Sequence, residues 1–124
     1  MATIKSYTDI EQSKVLAEIL PLDSADYFYK YCIGHYNMIH YRLEMYPYNK
    51  GGNKNHDIPC WSLAALLDIL PLEVSFNRQT DGVDTYYYIA SCDARYCDVY
   101  THRHINVVDA CYEMVTILKE RNLI

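Results

Sequence analysis

The chain has 124 residues, of which 51% are apolar and 22% are charged, and its formal net charge is −5. This length and this composition are typical of one folded domain with a hydrophobic core, and they exclude an intrinsically disordered chain. The net acidity and the scattered Lys and Arg residues disfavour nucleic acid as a partner, because phosphate backbones are bound by concentrated basic surfaces. We therefore expect a single domain that spans residues 1–124.

Cysteine usage and hydrophobicity indicate the compartment. The five cysteines are an odd number, and most of them lie among apolar or aromatic neighbours, as free thiols do in a reducing environment; they are Cys32, Cys60, Cys92, Cys97 and Cys111. No run of 18 apolar residues is present to span a membrane, and the first residues contain no apolar run of the signal-peptide type. The expectation is a cytoplasmic protein with no membrane partner.

Helices are predicted first near the start of the chain and again in its middle. Residues 8–11 have the form of a capping box with Thr8 as the N-cap and Glu11 at N3, and Pro21 ends the helix that follows. Residues 63–70 place leucines at i, i+3, i+4 and i+7, which predicts a buried helix that Pro71 stops.

A third helix is predicted after Asn106, which is expected to cap it, with Asp109 near its positive end. Five strands are predicted from alternating aromatic and β-branched residues; they lie in residues 25–33, 36–48, 72–76, 84–90 and 96–102. Gly34 and the Asp81-Gly82 dipeptide indicate hairpin turns, and the polar residues 49–57 are predicted to form a loop.

The predicted order is α-β-β-α-β-β-β-α, which indicates an α+β fold. Short turns between successive strands favour an antiparallel sheet of about five strands, with three helices covering one face. The near-copies EILPLD (18–23) and DILPLE (68–73) raise the alternative of an internal duplication. The simpler interpretation is that two helices end in the same way before a proline, because the resemblance does not continue into the following strands.

One string of residues has the donor types of a metal site. Cys92, Cys97, His102 and His104 are separated as Cys-x4-Cys-x4-His-x-His, which lacks the tight Cys-x2-Cys spacing of most structural zinc sites. Cys97 and His102 also fall on opposite faces of a regular strand. The pair His102 and His104 is thus a weak metal candidate, and no cofactor is predicted.

Catalytic patterns are missing from the sequence. Cys60 precedes the second helix and His56 lies four residues upstream, but the neighbours of Cys60 are Pro59 and Trp61, which indicate a buried cysteine and not a nucleophile. The KGGNK stretch in residues 50–54 has two glycines without the order of a phosphate-binding loop. A protein without enzymatic activity is the expectation.

Tyrosine is the most unusual feature of the composition, with 14 Tyr against 2 Phe and 1 Trp. A buried core favours Phe, since the hydroxyl of a buried Tyr needs a partner. The strand tyrosines are either ordinary cross-strand neighbours on a solvent face or an aromatic face that binds another protein, a second copy or a ring-containing ligand. The candidate binding residues are Tyr29, Tyr41, Arg42, Tyr86, Tyr88, Arg95, Tyr96 and Tyr100.

Three functions remain open on this basis, one of them the weak metal binding by His102 and His104 that is described above. The first is an accessory protein that binds an unknown protein partner, or a copy of itself as a homo-oligomer, through a tyrosine-rich sheet face. The alternative is a protein that sequesters a small nucleotide-like molecule by stacking on Tyr while an arginine binds the phosphate. The arginines considered for that role are Arg42, Arg78, Arg95 and Arg103.

The stretches IPCWSLAALLDILPL, NVVDACYEMVTILKERNLI and SYTDIEQSKVLAEILPLDSADYFY resemble a family of short proteins without an assigned activity. That family is found in gut Bacteroidetes and in their phages and mobile elements. Its pattern before the last helix is Asn-Pro-Val-Asp-Ala-Cys, whereas this chain has Val107 in place of the proline. The resemblance implies a cytoplasmic accessory protein of mobile-element origin, and it carries no functional residues.

Overall fold

The computed structural model describes residues 5–91 and 99–124. The contacts divide the chain into two compact units. One unit is Tyr7–Ala65, and the other is Leu66–Ile124 together with the chain before Tyr7. Helices and antiparallel strands occur in both units, which confirms the α+β class and, in outline, the predicted order of elements.

The first helix, α1 (Ile10–Ile19), is capped by Asp9, so the prediction of Thr8 as its N-cap is wrong. The Asp9 carboxylate accepts a hydrogen bond from the Gln12 N–H at 2.8 Å, and the Gln12 side chain accepts one from the Asp9 N–H at 3.1 Å. Thr8 is instead fully buried, and its hydroxyl oxygen accepts a hydrogen bond from the Trp61 N–H at 3.2 Å. Overlapping capping patterns begin at both residues, and only the tertiary fold buries Thr8.

The same unit contains a three-stranded antiparallel sheet in the order β2-β1-β3. Its strands are β1 (Tyr27–Ile33), β2 (Ile39–Glu44) and β3 (Ile58–Cys60). The β1–β2 hairpin turns after Gly34, as predicted, and the Gly34 N–H donates to the Met38 oxygen at 2.7 Å. Helix α1 packs against β3 and covers a core of Tyr29, Ile58 and Cys60.

The segment between β2 and β3 is more ordered than the predicted loop at residues 49–57. It begins with a four-residue helix, α2 (Tyr48–Gly51), which is too short to give a periodic signal in the sequence. The remainder is held by the Asp57 carboxylate, which accepts hydrogen bonds from the Tyr31 and Asn53 N–H groups at 2.8 Å each. The side chain of Asp57 therefore fixes this segment to β1.

Helix α3 (Leu63–Ile69) begins after Ser62 and ends before Pro71, as the leucine spacing predicted. The Ser62 hydroxyl oxygen accepts a hydrogen bond from the Ala65 N–H at 3.2 Å and itself donates to the Asp26 carboxylate. Leu66 is fully buried. Asp26, the residue directly before β1, thus helps to stabilise the start of α3.

The second unit contains a hairpin of β4 (Val74–Thr80) and β5 (Thr85–Ser91) and the helix α4 (Val107–Glu120). The hairpin turns at Asp81-Gly82 as predicted, and Gly82 has φ +92°, a backbone conformation that favours glycine. Asn106 is the N-cap of α4, although its side chain makes no capping hydrogen bond. Asp109 in the first turn forms an ion pair with Lys5, with 2.6 Å between Nζ and Oδ1.

The last predicted strand, at residues 96–102, is irregular where the structure describes it. Residues 99–104 run antiparallel to β5 and pair with it at two isolated bridges, Ala90 with Tyr100 and Tyr87 with His104. The two bridges are three residues apart along β5, from Tyr87 to Ala90, but four residues apart along the paired segment, from Tyr100 to His104. The one extra residue of the paired segment forms a β-bulge. Residues 92–98, which include the first three residues of this predicted strand, lie outside the described residues.

Within the described residues, strands β1–β5 form two sheets and not the single sheet that was predicted. In the unit Tyr7–Ala65, β3 pairs with β1, the first strand of the β1–β2 hairpin. In the other unit, residues 99–104 pair with β5, the second strand of the β4–β5 hairpin. The two segments therefore differ in the strand that is added after each hairpin, outside the helix-and-hairpin units that a duplication would relate. The ILPL resemblance reflects helix endings, because Leu20 and Leu70 each donate to the oxygen four residues back, at 2.8 and 3.1 Å, before a proline.

Candidate functional site

Alternation along β1 places three tyrosines, Tyr27, Tyr29 and Tyr31, on one face of the three-stranded sheet. Tyr29 is buried, and its hydroxyl donates to the Thr8 oxygen at 2.6 Å. Burial is also the main reason why the pKa of Tyr29 is raised above its ordinary value. Of the candidate residues, Tyr29 therefore belongs to the core, with its polar group already bonded.

Farther along the same face, the tyrosines are half-buried and the residues next to them are exposed. Tyr41 is the cross-strand partner of Tyr31, and their rings meet edge to face with 6.0 Å between centroids. The next pair, Ile33 and Ile39, is 64% and 59% exposed. We call Tyr31, Ile33, Ile39 and Tyr41 the hairpin patch. The His56 ring stacks on Tyr31 at 5.2 Å, at one side of this patch.

Arg42 lies on the opposite face of β2 from Tyr41, because neighbouring residues of a strand point to opposite sides. Its Nε is 2.8 Å from the Glu44 carboxylate, which lies on the same face. The structure therefore does not bring Arg42 together with the tyrosines of its own sheet. Arg42 was a candidate beside Tyr41, although strand alternation already places these two neighbours on opposite faces.

The second group of candidate tyrosines lies on the β4–β5 hairpin. Tyr87 bridges to His104, whose Nε2 is 2.9 Å from the Glu113 carboxylate of α4, so Tyr87 points toward α4. Tyr86 and Tyr88 consequently point away from α4. Tyr100 bridges to Ala90 and shares this outer side, where it is 70% exposed.

An arginine joins these three tyrosines. The guanidinium carbon of Arg103 lies 5.5 Å from the centre of the Tyr86 ring, in the geometry of a cation–π interaction. We call Tyr86, Tyr88, Tyr100 and Arg103 the tyrosine face. In a regular strand Tyr100 and Arg103, three residues apart, would point to opposite sides, and the bulge places them on the same side. No pattern in the sequence indicates this bulge.

The turn of the hairpin adds a negative charge next to Tyr86. Asp81 accepts hydrogen bonds at 2.8 Å from the main-chain N–H groups of Asp84 and Val83, which hold the pKa of Asp81 below its ordinary value. The Tyr86 hydroxyl donates to the same carboxylate at 3.3 Å, and the charge of Asp81 raises the pKa of Tyr86. Tyr86 is therefore positioned between an acidic and a basic group.

His102 and His104, the weak metal candidates, both bind Glu113. One carboxylate oxygen lies 2.7 Å from the His102 ring, and the other accepts from the His102 N–H at 2.7 Å and lies 2.9 Å from the His104 ring. Burial opposes ionisation of Glu113, but the hydrogen bonds from His104 and His102 outweigh it and lower its pKa. Within residues 5–91 and 99–124, no three His, Cys, Asp or Glu side chains are arranged to hold a metal ion.

Of the cysteines considered as a nucleophile or as metal ligands, Cys60 is buried and the others lie outside the described residues. Cys60 is fully buried and its thiol donates to the Thr8 oxygen at 3.4 Å, and burial raises its pKa. A thiol in this state is protonated at neutral pH and is a poor nucleophile. The predicted site residues Arg95 and Tyr96, and the cysteines at 92 and 97, lie outside the described residues.

The fold and its two aromatic surfaces define a small α+β protein with half-buried tyrosines on two separate sheets and an exposed Tyr100 beside the second. Comparison with protein-family models, with curated proteins and with solved structures gives no match. In the part of the chain that the structure describes, every helix is too short or too polar to cross a membrane.

Proposed function

We propose that the protein is a non-enzymatic accessory protein of the cytoplasm that binds another protein through the tyrosine face of the β4–β5 hairpin. The observation that carries this proposal is the position of Tyr86, Tyr88, Tyr100 and Arg103 on one side of the hairpin, away from α4. Tyrosine and arginine are the residue types most enriched in the energetically important parts of protein interfaces, together with tryptophan.

The surroundings of the tyrosine face support a protein partner. The β4 residues on this side are small or polar, namely Ser75, Asn77 and Gln79, which pair with Ala90, Tyr88 and Tyr86. Aromatic anchors with polar neighbours are typical of an interface with a dry centre and a wet margin. Tyrosine rings also lose little conformational entropy on binding, because each has only two side-chain torsions.

The non-enzymatic part of the proposal has its own support. Burial raises the pKa of the Cys111 thiol to about 12, and Cys60 is buried in the same way. The imidazoles of His102 and His104 already contact Glu113. The resemblance to short proteins of Bacteroidetes mobile elements favours an accessory role of this kind.

Binding of a nucleotide-like molecule is the weaker alternative. Three of its four candidate arginines lie in the described residues, and only Arg103 is on a tyrosine cluster. Arg42 pairs with Glu44, and Arg78 is opposite Tyr87 on the α4 side of its sheet. A sheet face with one arginine above one ring favours an extended protein surface over an enclosed small molecule.

Site-specific cross-linking in cells tests the proposal. A photoreactive phenylalanine analogue at Tyr100 should give a covalent adduct with one partner protein, whereas the same analogue at Glu120, on the exposed end of α4, should not. With the purified partner, Tyr100→Ala and Arg103→Ala should each raise Kd about tenfold or more, as interface anchors do.

The matched control is Glu120→Ala, which should leave Kd unchanged. Equal adduct yields from positions 100 and 120 would contradict the proposal. An unchanged Kd for Tyr100→Ala would contradict it as well.

A further inference from the structure

We propose that the protein forms a two-fold symmetric dimer in which β2 pairs antiparallel with β2 of a second copy, centred on Leu43. Each three-stranded sheet then becomes half of a continuous six-stranded sheet. This inference goes beyond the proposed function, since it concerns a different strand and a different partner. A dimer of this kind leaves the tyrosine face of each copy to be tested independently.

The first step is that β2 is an edge strand. Its sheet has the order β2-β1-β3, so β1 covers one side of β2, and no strand in the described part of the chain pairs with the other side. A free edge presents unpaired N–H and C=O groups that can bind another strand. Residues 41–45, which pair in a dimer centred on Leu43, contain no proline that would block such pairing.

The second step identifies which backbone groups are free. Phe28 is opposite Pro59, which has no N–H to exchange, so Tyr27 and Tyr29 are the β1 residues that hydrogen-bond to β3. The Tyr31 N–H donates to Asp57 on the same side, so odd-numbered residues of β1 direct their backbone away from β2. Tyr31 is opposite Tyr41, and Tyr29 is opposite Leu43. Because the backbone of Tyr29 and Tyr31 is directed toward β3, these two residues exchange no hydrogen bonds with Leu43 and Tyr41 of β2. The N–H and C=O groups of Ile39, Tyr41 and Leu43 therefore point to the free edge.

The third step is the register, which charge selects. Antiparallel pairing of two identical strands can be centred on Tyr41, Arg42 or Leu43. Pairing centred on Tyr41 places Arg42 opposite His40 of the copy. Pairing centred on Arg42 places Arg42 opposite Arg42 of the copy. Only the pairing centred on Leu43 places Arg42 opposite Glu44 of the copy, and symmetry makes this contact twice.

The side chains support the same register. Arg42 and Glu44 already approach within 2.8 Å in one chain, and both point to the same face of β2. In a pair that exchanges no hydrogen bonds the α-carbons are about 4.5 Å apart, which is close enough for an ion pair across the strands. On the other face, Tyr41 of one copy lies opposite Met45 of the other, and Met45 is 75% exposed in the single chain.

Charge exchange tests the dimer and its register together. Arg42→Glu places a Glu opposite Glu44 of the copy, and Glu44→Arg places an Arg opposite Arg42. Each single variant should therefore raise the dimer Kd at least tenfold in sedimentation and native mass spectrometry. An equimolar mixture of the two variants should form the heterodimer, because every pair then has opposite charges. The double variant Arg42→Glu/Glu44→Arg should dimerise like the wild type.

Lys54→Glu is the matched control, because it makes the same charge change in the segment that Asp57 holds on the far side of β1. It should leave the dimer Kd unchanged, and circular dichroism should show that all variants are folded. The proposal is overturned if the wild type is a monomer at every concentration. It is also overturned if Arg42→Glu dimerises normally or if the variant mixture contains no heterodimer. A monomeric wild type has no bearing on adducts from position 100, so failures of the two proposals are distinguishable.

Discussion

The hydroxyl of Tyr29 donates a hydrogen bond to the main-chain oxygen of Thr8, at 2.6 Å, across 21 positions of sequence. This contact explains why a tyrosine and not a phenylalanine occupies a buried position in β1. The hydroxyl is on the core side of the sheet, and burial keeps its pKa raised, so it stays a donor. The hydrogen bond thus connects β1 to the residue that precedes the cap of α1.

Tyr29→Phe should lower the free energy of unfolding by about 1–2 kcal/mol, because it leaves a buried acceptor with only the weak thiol donor of Cys60. Urea unfolding at neutral pH measures this change. Tyr31→Phe, on the same face but half-buried, is the control and should change stability by less than about 0.5 kcal/mol. Equal effects of the two substitutions would show that the Thr8 contact contributes nothing.

Asp9→Ala should destabilise the protein by about 1 kcal/mol, since it removes the carboxylate that caps α1. Glu11→Ala is the informative comparison, because Glu11 would be the reciprocal partner if Thr8 were the cap. The Glu11 substitution should cost only a few tenths of a kcal/mol, through loss of a charge near the helix start. Thermal or urea unfolding distinguishes the two, and a larger effect at Glu11 would restore Thr8 as the cap.

Glu113→Gln should destabilise the protein by about 1 kcal/mol at pH 7, because the carboxylate binds His102 and His104. A carboxyl group whose pKa is lowered by folding stabilises the fold above its unfolded pKa of about 4.3 and loses that contribution as pH falls through its folded pKa. The difference between wild type and variant should therefore shrink below about pH 4. Glu120→Gln, at the exposed end of the same helix, should show no such pH dependence, and a constant difference for Glu113→Gln would contradict the expectation.

Thiol labelling should distinguish the cysteines of the described residues. Cys32 is partly exposed and should react with iodoacetamide in the native protein, whereas Cys60 and Cys111 are fully buried and should react only on unfolding. Because burial raises the pKa of Cys111 to about 12, raising the pH to 9 should not accelerate labelling of Cys111 in the native protein. Peptide mass mapping reads each site, and rapid native labelling of Cys111 would refute its burial.

Local patterns in the sequence predicted the elements whose signals are contained within a few neighbouring residues. The leucine spacing predicted α3, the two proline stops predicted the ends of α1 and α3, and the Asp81-Gly82 dipeptide predicted the second hairpin. Tyr86 and Tyr88 were both among the candidate binding residues, and they share a face because side chains alternate along one strand. The four-residue α2 was missed because one helical turn leaves no period to detect.

What the sequence determined by itself, then, is the α+β class, the order of the main elements and the tyrosines that share a face within each strand. The tertiary structure alone decided that the strands divide into two sheets, that Thr8 is buried while Asp9 caps α1, and that a bulge brings Arg103 to the side of Tyr86 and Tyr100. The physical reason is the range of the interactions. Helix periods, strand alternation and turn residues act over a few positions, whereas strand partners, buried hydroxyls and bulges depend on residues that meet only after the chain has folded.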